Sequence, residues 1–325
     1  MAKTIEAIEA GAVPKPLEKL SPDEIEKKRR IARVSTKSLR YLTDSFVGRG
    51  FDWLLPVIFS KSTDPLWPDP GASIEKRVET EVYGETVRMT LSMIIHKLVA
   101  SSTAYPKLFV LSPNVRIERR ERKATGWHAY EFTQFDFEIR DAGSEDVRSL
   151  VDDVIAGLIS HLREDAKEDL ESLGAYGDLR SPAKPFKVVD STTLIAEYGE
   201  AWETMLPRDI AEPTWVTNIP REFYDFEDMS SRRWENYDLF VPMRGEILSG
   251  ARREWEYDKI SDKMERDGVK KENYELLLKL AKERRLKPSA GAGIGVERLV
   301  SWIVGAEHIG EVQPFPKVPG VVYEL

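Results

Sequence analysis

The chain has 325 residues, of which 41% are apolar and 32% are charged, and its formal net charge is -8. This length and apolar share are enough for one large hydrophobic core or two modest ones. An acidic surface repels polyanions, so the overall charge does not favour binding to nucleic acid. The absence of cysteine excludes disulfides, thiolate zinc sites and a cysteine nucleophile.

The sequence contains no apolar run of membrane-spanning length and no charged-then-apolar leader at its start. A transmembrane helix needs about 18 or more apolar residues, and export needs such a leader. We therefore expect a cytoplasmic protein that does not associate with a membrane.

The N-terminal part predicts a flexible lead-in over residues 1–20, followed by a long helix. Ser21 and Glu24 match a capping box, and Pro22 occupies the first helical position. Apolar residues at helical spacing follow, and Gly48 ends the run.

Residues 51–59 predict a strand that contains Pro56. Because proline cannot donate a hydrogen bond to a ladder, Pro56 favours a strand edge or an interface. The next segment, residues 61–71, is a proline-rich loop with two carboxylates and Trp67. Such a loop is either a lid over a substrate or an ordinary surface connection.

Residues 82–90 predict a further strand, and a helix begins at Leu91 and ends before Pro106. Residues 109–138 then predict two antiparallel strands joined by a long loop, because both flanks alternate apolar and polar residues. Side chains on a strand repeat every second residue, so polar residues gather on one face of each strand. These residues are Arg116 and Glu118 on the first strand and Gln134, Asp136 and Glu138 on the second, where Phe132 shares their face.

The loop of this hairpin is rich in basic side chains that could close over an anion. They are Arg119, Arg120, Arg122, Lys123 and His128. A guanidinium, an aromatic ring and several carboxylates on one hairpin are typical of a nucleoside triphosphate pocket built on a sheet. The same alternation of charge also occurs on strands whose polar face is simply solvated.

Ser144 is predicted to cap a helix with a continuous apolar stripe, and His161 beside that stripe is expected to be structural. Residues 166–211 carry mixed signals and predict a small helical insertion packed on the main sheet. Residues 213–224 predict a strand and a turn that contains Arg221.

A strand, turn and strand over residues 237–253 would bring Asp238 and Glu246 together, and Mg2+ prefers such carboxylates beside a triphosphate. Residues 288–305 form a glycine-rich approach to an amphipathic helix. A dinucleotide-binding fold would require a βαβ context, which is missing.

Together these segments resemble the catalytic core of class II aminoacyl-tRNA synthetases, in particular the aspartyl and asparaginyl subgroup. The first helix and the strand around Pro56 resemble motif 1. Arg116-x-Glu118 followed by His128-x-x-Glu131-Phe132-Thr133-Gln134-x-Asp136-x-Glu138 resembles motif 2. The glycine-rich approach with Arg298 resembles motif 3, and residues 313–320 are similar to the end of the subgroup's sequences.

The resemblance implies an α+β fold in which an antiparallel sheet is flanked by helices, with one catalytic domain over residues 21–325. It also implies a homodimer formed through the motif 1 helix and the strand around Pro56. The implied cofactors are ATP and Mg2+, with the metal at Asp238 and Glu246.

The resemblance further implies the residues of the two substrate sites. The ATP-binding residues would be Arg116, Glu118, His128, Phe132, Gly293, Gly295 and Arg298, of which Arg116 and Arg298 would be catalytic. The amino-acid pocket would comprise Ser92, Lys97, Gln134, Asp136, Arg221 and Arg253. Its three cations, Lys97, Arg221 and Arg253, are candidates to bind a substrate carboxylate, which implies aspartate as the substrate.

Two features differ from the subgroup's pattern, and Asp136 distinguishes between its two branches. Ile94 occupies the position of a glutamine near the amino group of the substrate, which implies another orientation of the bound amino acid. Asp136 follows the aspartyl pattern, since asparaginyl enzymes tend to have glutamate there. The connection from Asp238 to Glu246 is one residue longer than usual.

The residues before motif 1 are too few for the anticodon-binding barrel of the subgroup, a domain of roughly a hundred residues. We therefore expect that tRNA binding is unlikely and that another acceptor receives the activated amino acid. In this respect the chain resembles archaeal asparagine synthetases related to asparaginyl-tRNA synthetase. The implied reaction converts aspartate, ATP and ammonia into asparagine and AMP through a β-aspartyl adenylate, with the aspartate bound end for end.

Without cysteine, the familiar glutamine amidotransferase chemistry is excluded, so free or delivered ammonia is the expected nitrogen source. Three alternatives stay open. The chain could transfer an aspartyl group to another amine, or aminoacylate tRNA. It could also be a catalytically silent regulatory subunit, against which the intact cations and carboxylates of the site argue.

Overall fold

A computed structural model describes residues 13–65 and 74–324 of the chain. The predicted lid residue Trp67 and most of the predicted lead-in lie outside these ranges. Residues 13–20 contain a short 3-10 helix, Leu17–Lys19, and the Pro14 carbonyl accepts a hydrogen bond from the Tyr323 hydroxyl at 2.7 Å. None of the helices within the described ranges has both the length and the apolar character needed to cross a membrane.

The secondary structure of the described ranges alternates short strands with helices of very different lengths. The helices are α1 (Pro22–Gly48), α2 (Ile94–Thr103), α3 (Ser144–Asp165), α4 (Lys167–Ser172), α5 (Ser191–Tyr198), α6 (Trp202–Asp209), α7 (Tyr257–Arg266), α8 (Glu275–Lys282) and α9 (Val296–Val304). The strands are β1 (Asp52–Leu54), β2 (Phe59–Ser60), β3 (Ile74–Lys76), β4 (Glu79–Val82), β5 (Glu85–Met89), β6 (Lys107–Val115), β7 (Ile117–Glu118), β8 (Glu131–Arg140), β9 (Lys187–Asp190), β10 (Thr214–Thr217), β11 (Glu227–Asp228), β12 (Arg233–Trp234), β13 (Asn236–Val241), β14 (Gly245–Arg252) and β15 (Ser289–Gly295).

Eight of these strands form one sheet in the order β1-β6-β8-β15-β14-β13-β10-β9. Only the two outermost pairs, β1 with β6 and β9 with β10, are parallel. The predicted antiparallel sheet flanked by helices is therefore confirmed. The long hairpin is confirmed as well, because β6 pairs with β8 along its full length, from Lys107 opposite Ile139 to Val115 opposite Glu131.

The main hydrophobic core lies between one face of this sheet and helices α1, α3 and α9. Phe46 of α1 packs edge-on against Phe135 and Phe137 of β8, with ring centroids 4.8 and 5.0 Å apart. The alternating pattern of β8 thus places Phe135 and Phe137 in the core. Phe132, Gln134 and Asp136 alternate with them and consequently face the other side of the sheet.

Helix α1 begins and ends where the sequence predicts. The Ser21 hydroxyl accepts a hydrogen bond from the backbone N–H of Glu24, and the Glu24 carboxylate accepts one from the backbone N–H of Ser21. Helix α3 differs slightly, because Gly143 rather than Ser144 is its N-cap residue. The predicted structural role of His161 agrees with its ring stacking on Tyr41, with centroids 5.2 Å apart.

Two predicted strands are interrupted in the structure. Residues 51–59 contain β1 and the start of β2, which belong to different sheets. Pro56 lies between them, since it has no N–H for a ladder. Residues 82–90 contain a turn at Tyr83 and Gly84, both with positive φ, so that β4 and β5 form a hairpin.

The segment predicted as a helical insertion, residues 166–211, contains α4, α5 and α6 but also the edge strand β9. Strand β9 pairs in parallel with β10, with Lys187 opposite Thr214. The segment therefore extends the main sheet as well as packing on it.

Candidate active site

A cavity on the polar side of the hairpin brings together residues from β8, β14, β15, α9 and the motif 2 loop. All seven predicted ATP-binding residues line it: Arg116, Glu118, His128, Phe132, Gly293, Gly295 and Arg298. Gln134 and Glu246, predicted for the amino acid and the metal, line the same cavity. Residues almost 200 positions apart in the sequence therefore form one concave site.

Arg116 is held by two contacts. Its Nε donates a hydrogen bond to the Leu91 carbonyl at 3.0 Å, and its guanidinium carbon lies 5.1 Å from the ring centre of Phe132. Neither contact uses the two Nη groups, which are the bidentate donors of an arginine. Arg116 is thus oriented beside the cavity as a donor for an anion.

His128 is engaged within its own loop. Arg122 Nη1 donates to Nε2 of His128 at 3.0 Å, and Thr125 Oγ1 lies 2.6 Å from Nδ1. Because arginine can only donate, Nε2 must be unprotonated, which places the imidazole hydrogen on Nδ1. Burial, followed by Arg298, Arg122 and Arg116, holds the pKa of His128 well below its ordinary value. The neutral ring therefore positions Arg122, while its predicted phosphate contact stays a prediction.

Arg298 connects the motif 2 loop to β14. Its Nη1 donates to the Glu246 carbonyl at 2.8 Å and its Nε donates to the Trp127 carbonyl at 3.3 Å. The Trp127 ring packs so closely on Gly245 that a Cβ there would lie 2.8 Å from it. Trp127 lines the cavity but was not predicted, since a single aromatic residue in a charged loop carries no distinctive signal.

Glu297 is a second lining residue that the sequence did not reveal. Its two carboxylate oxygens accept from the backbone N–H of Thr133 at 2.9 and 3.0 Å, which fixes β8 next to Phe132. Burial raises the pKa of Glu297 to about 7, although the hydrogen bonds from Thr133 oppose this. Its position directly before Arg298 in motif 3 was the available clue.

We expect Glu297 to make the free energy of unfolding depend on pH. Because the folded-state pKa is higher than the ordinary value, the stability that Glu297 contributes is full below about pH 4.5 and is lost as the pH rises through 7. Chemical denaturation should be measured on the wild type and on Glu297→Gln at pH 4.5 and at pH 7. Relative to Glu297→Gln, the wild type should lose about 2–3 kcal/mol of unfolding free energy between the two pH values.

Glu145→Gln is the matched control, since Glu145 also lies in the first turn of a helix but is exposed. Its difference from the wild type should not change over the same range. A pH-independent difference for Glu297→Gln would show that Glu297 titrates normally.

The predicted amino-acid residues Lys97 and Arg253 lie in a buried network of ion pairs below the cavity. Lys97 Nζ lies 2.8 Å from Asp136 Oδ1 and 3.9 Å from Glu138 Oε2. Arg253 Nε lies 3.3 Å from Glu138 Oε1, and its Nη1 lies 2.7 Å from Asp225 Oδ1. The network borders this cavity, because a Cβ on the lining residue Gly293 would lie 2.8 Å from Asp136 Oδ1.

Two other predicted pocket residues, Ser92 and Gln134, have structural contacts. Ser92 Oγ accepts from the backbone N–H of Ile94 at 3.1 Å, at the start of α2. Ile94 itself is buried in an apolar cluster with Phe223. Gln134 Oε1 accepts from Asn114 Nδ2 at 2.6 Å, which leaves its amide nitrogen near Gly293.

Each of the three predicted cations is already paired with a protein carboxylate. Arg221 forms an ion pair with Asp238, in addition to the pairs of Lys97 and Arg253. The sequence argument that these cations are free for a substrate carboxylate therefore does not match the geometry. A negatively charged ligand would have to share or displace these partners.

Asp238 and Glu246 lie on the same face of the sheet because of a β-bulge. Leu239 pairs with Leu248, but the next residue, Phe240, pairs with Glu246, so β14 has one extra residue at this point. Ser249 pairs with Asp238 and lies on the same face of the sheet. Without the bulge, alternation along β14 would place Glu246 on the opposite face. The bulge accommodates the extra residue noted in the sequence.

The donor set of this face partly fits a magnesium ion. Asp238 Oδ1 is buried and has no hydrogen-bond partner among the described residues. Within the same ranges no group of three or more His, Cys, Asp or Glu side chains could hold a metal. Mg2+ is often bound by one or two carboxylates together with substrate phosphates, which Asp238 and Glu246 could supply.

Comparison with known proteins identifies the family. The family model of class II tRNA synthetases (D, K and N) matches residues 26–319. The chain belongs to this class II tRNA synthetase family. Its catalytic domain is related to asparaginyl-tRNA synthetase, since it is 31% identical to the asparagine–tRNA ligase of Streptococcus suis over 267 residues, which cover 74% of this chain and 58% of that enzyme.

Other members of the class II family agree. The asparagine–tRNA ligase of Streptococcus agalactiae is 29% identical over 288 residues, covering 80% of this chain and 63% of the relative. The chain therefore spans about three fifths of the length of these curated relatives. Asparaginyl-tRNA synthetase from Pyrococcus horikoshii, complexed with asparaginyl-adenylate, has the same fold, with a TM-score of 0.80 at 22% identity, over 99% of this chain and 78% of that one.

Proposed function

We propose that this class II synthetase domain activates aspartate or asparagine with ATP, forming an aminoacyl adenylate and releasing pyrophosphate. The observation that carries the proposal is the convergence of all seven candidate ATP-binding residues on one cavity. The buried network around Lys97 and Arg253 borders this cavity. The relatives named asparagine–tRNA ligases, and the neighbour bound to asparaginyl-adenylate, support the same chemistry.

In the activation step, a carboxylate oxygen of the amino acid attacks the α-phosphorus of ATP, and pyrophosphate leaves with the electron pair. Arg116 would neutralise charge that develops on the α-phosphoryl oxygens. Phe132 would pack against the adenine, and Arg298 would contact the nucleotide from α9. Magnesium held by Asp238 and Glu246 would offset the charge of the pyrophosphate.

The paired cations bear on the choice of amino acid. Lys97, Arg253 and Arg221 face four partner carboxylates: Asp136, Glu138, Asp225 and Asp238. Asparagine has a neutral side chain and adds no further negative charge to this set. Asparagine is therefore as good a candidate substrate as aspartate, and the acceptor is an amine or tRNA.

A second candidate is the synthesis of asparagine from aspartate and ammonia, which two residues favour. Asp136 follows the aspartyl pattern, and Ile94 replaces the glutamine that the subgroup places near the amino group of the substrate. Ammonia would attack the β-carbonyl carbon of the adenylate, and AMP would leave. Since the chain has no cysteine, ammonia would be free or supplied by a partner.

Amino-acid-dependent exchange of labelled pyrophosphate into ATP, measured separately with aspartate and asparagine, tests the activation. Incubation with ammonium or with tRNA then separates the acceptors, by formation of free asparagine or of aminoacyl-tRNA. Activation predicts AMP as the nucleotide product. Formation of ADP, or no exchange with either amino acid, would refute the proposal.

We also propose that the chain forms a homodimer through the surface around Pro56. This surface exposes four large apolar side chains: Trp53, Leu55, Ile58 and Phe59. Leu55 is 89% exposed, which is unfavourable unless a partner covers it.

Leu55→Asp should therefore halve the mass measured by light scattering. Val322→Asp is the control, because Val322 is 84% exposed and belongs to the C-terminal tail rather than to the segment around Pro56. A wild-type monomer, or a Leu55→Asp dimer of unchanged affinity, would place the interface elsewhere or exclude it.

A further inference from the structure

Asp238 is a buried carboxylate whose two oxygens have different surroundings. The residue is only 2% exposed. Its Oδ2 is bound by Arg221, whereas its Oδ1 has no hydrogen-bond partner among the residues that the structure describes. A buried carboxylate is expensive unless its charge is neutralised, so Arg221 is the group that makes the present arrangement possible.

Arg221 lies at the centre of a strongly acidic environment. Burial alone would lower its pKa, but the surrounding carboxylates raise the pKa above its ordinary value. These carboxylates are Asp238, Glu222, Glu246 and Asp225. The Arg221 guanidinium is therefore surrounded by carboxylates that stabilise its positive charge.

The other cation of this region is less well placed to neutralise Asp238. Arg298 Nη1 lies 3.8 Å from Glu246 Oε1 and donates to the Glu246 carbonyl. Arg298 thus contacts Glu246 and not Asp238. Removal of Arg221 would leave Asp238 without a directly bound positive charge.

The carboxylates of Asp238 and Glu246 are here called the acidic face. We propose that Arg221 neutralises this face when no metal is bound, and that Arg221 and a divalent metal ion compete for Asp238. The proposal rests on the metal role of Asp238 in the proposed function. It accounts for two observations together, the unpartnered Oδ1 and the absence of a preformed metal cluster in residues 13–65 and 74–324.

The competition has a consequence for the amino acid. Arg221 is 28% exposed at its side chain, unlike the buried Asp238. Once a metal ion takes its place, the guanidinium becomes a free cation beside the site, which is where the sequence predicted a contact with a substrate carboxylate. Metal and amino acid should then strengthen the binding of each other, because linkage between two ligands is reciprocal.

Binding of Mn2+, used as a spectroscopic substitute for Mg2+, tests the competition without any turnover. The free Mn2+ signal in electron paramagnetic resonance is titrated against the full chain without nucleotide. The wild type and all variants are titrated at the same fixed pH and ionic strength. Arg221→Gln should bind Mn2+ at least about fivefold more tightly than the wild type.

Arg252→Gln is the matched control. The Arg252 side chain is 29% exposed and pairs with Glu235 at 3.0 Å, so it resembles Arg221 in exposure and pairing but lies outside the acidic face. Its Mn2+ affinity should equal that of the wild type. Equal or weaker binding by Arg221→Gln would overturn the proposal.

Asp238→Asn separates this inference from the proposed function. It should bind Mn2+ much more weakly than the wild type. Unchanged binding by Asp238→Asn would remove the metal from Asp238, and with it both the competition and the metal role of Asp238 in the proposed function, while amino-acid activation would still be tested by pyrophosphate exchange. Loss of binding in Asp238→Asn, with no gain in Arg221→Gln, would refute only the competition. Arg221→Met, which keeps the alkyl stem without the charge, repeats the test if Arg221→Gln does not fold.

Discussion

Arg116→Ala should lower the rate of amino-acid-dependent ATP–pyrophosphate exchange by about 10²–10³-fold, which corresponds to about 3–4 kcal/mol of transition-state stabilisation. The reason is the preorganised position of the guanidinium. The Leu91 carbonyl and the Phe132 ring hold it, while its Nη groups stay available to the cavity. Charge on the α-phosphoryl oxygens grows in the transition state, so the rate should fall more than the affinity for ATP.

Two further variants control this prediction. Arg285→Ala removes an exposed arginine that does not line the cavity and should leave exchange unchanged. Phe132→Leu removes the ring that contacts Arg116 and that is proposed to pack against the adenine, so it should also weaken ATP binding. Its effect on the rate should be smaller than that of Arg116→Ala, since a cation–π contact contributes about 0.5–2 kcal/mol. Equal losses of ATP affinity and of rate in Arg116→Ala would assign Arg116 to ground-state binding alone.

The parts of the fold that could be predicted from sequence are those fixed by local signals. The capping box at Ser21 specifies the start of α1 within one residue. The long alternation in β6 and β8 specifies a hairpin, because only one register places Phe135 and Phe137 in the core. Both signals are contained within a few tens of residues.

The features that the sequence did not predict depend on contacts between residues that are far apart in the sequence. Strand β9 is short, and its structure depends on pairing with β10 more than twenty residues later. Lys97 was identified as a cation, but its partner Asp136 is 39 residues away. Sequence periodicity shows which face a charge occupies and does not show which opposite charge meets it. For this reason the seven candidate ATP-binding residues line one cavity as expected, whereas the cations of the predicted amino-acid pocket form ion pairs with protein carboxylates that were not predicted.

Arg253→Ala should destabilise the fold by about 3–5 kcal/mol and abolish amino-acid-dependent exchange. Arg253 is buried and donates to Glu138, Asp225 and the Gly291 carbonyl. Its truncation leaves the buried carboxylates of Glu138 and Asp225 without the ion-pair partner that lies 3.3 and 2.7 Å away, and Lys97 Nζ is 3.9 Å from Glu138. Loss of activity in this variant alone would therefore not show that Arg253 contacts the amino acid. Chemical denaturation and exchange must be measured on the same preparations.

A triple variant separates the two roles. Arg253→Met combined with Glu138→Gln and Asp225→Asn removes the cation together with both charges that it neutralises. Replacement of a buried ion pair by neutral groups is often close to neutral for stability, so most of the lost free energy of unfolding should return. Exchange should remain absent if Arg253 holds the substrate. Recovery of exchange together with stability would instead show that Arg253 only supports the fold of the pocket, and the amino acid would then be recognised by Lys97 and Gln134.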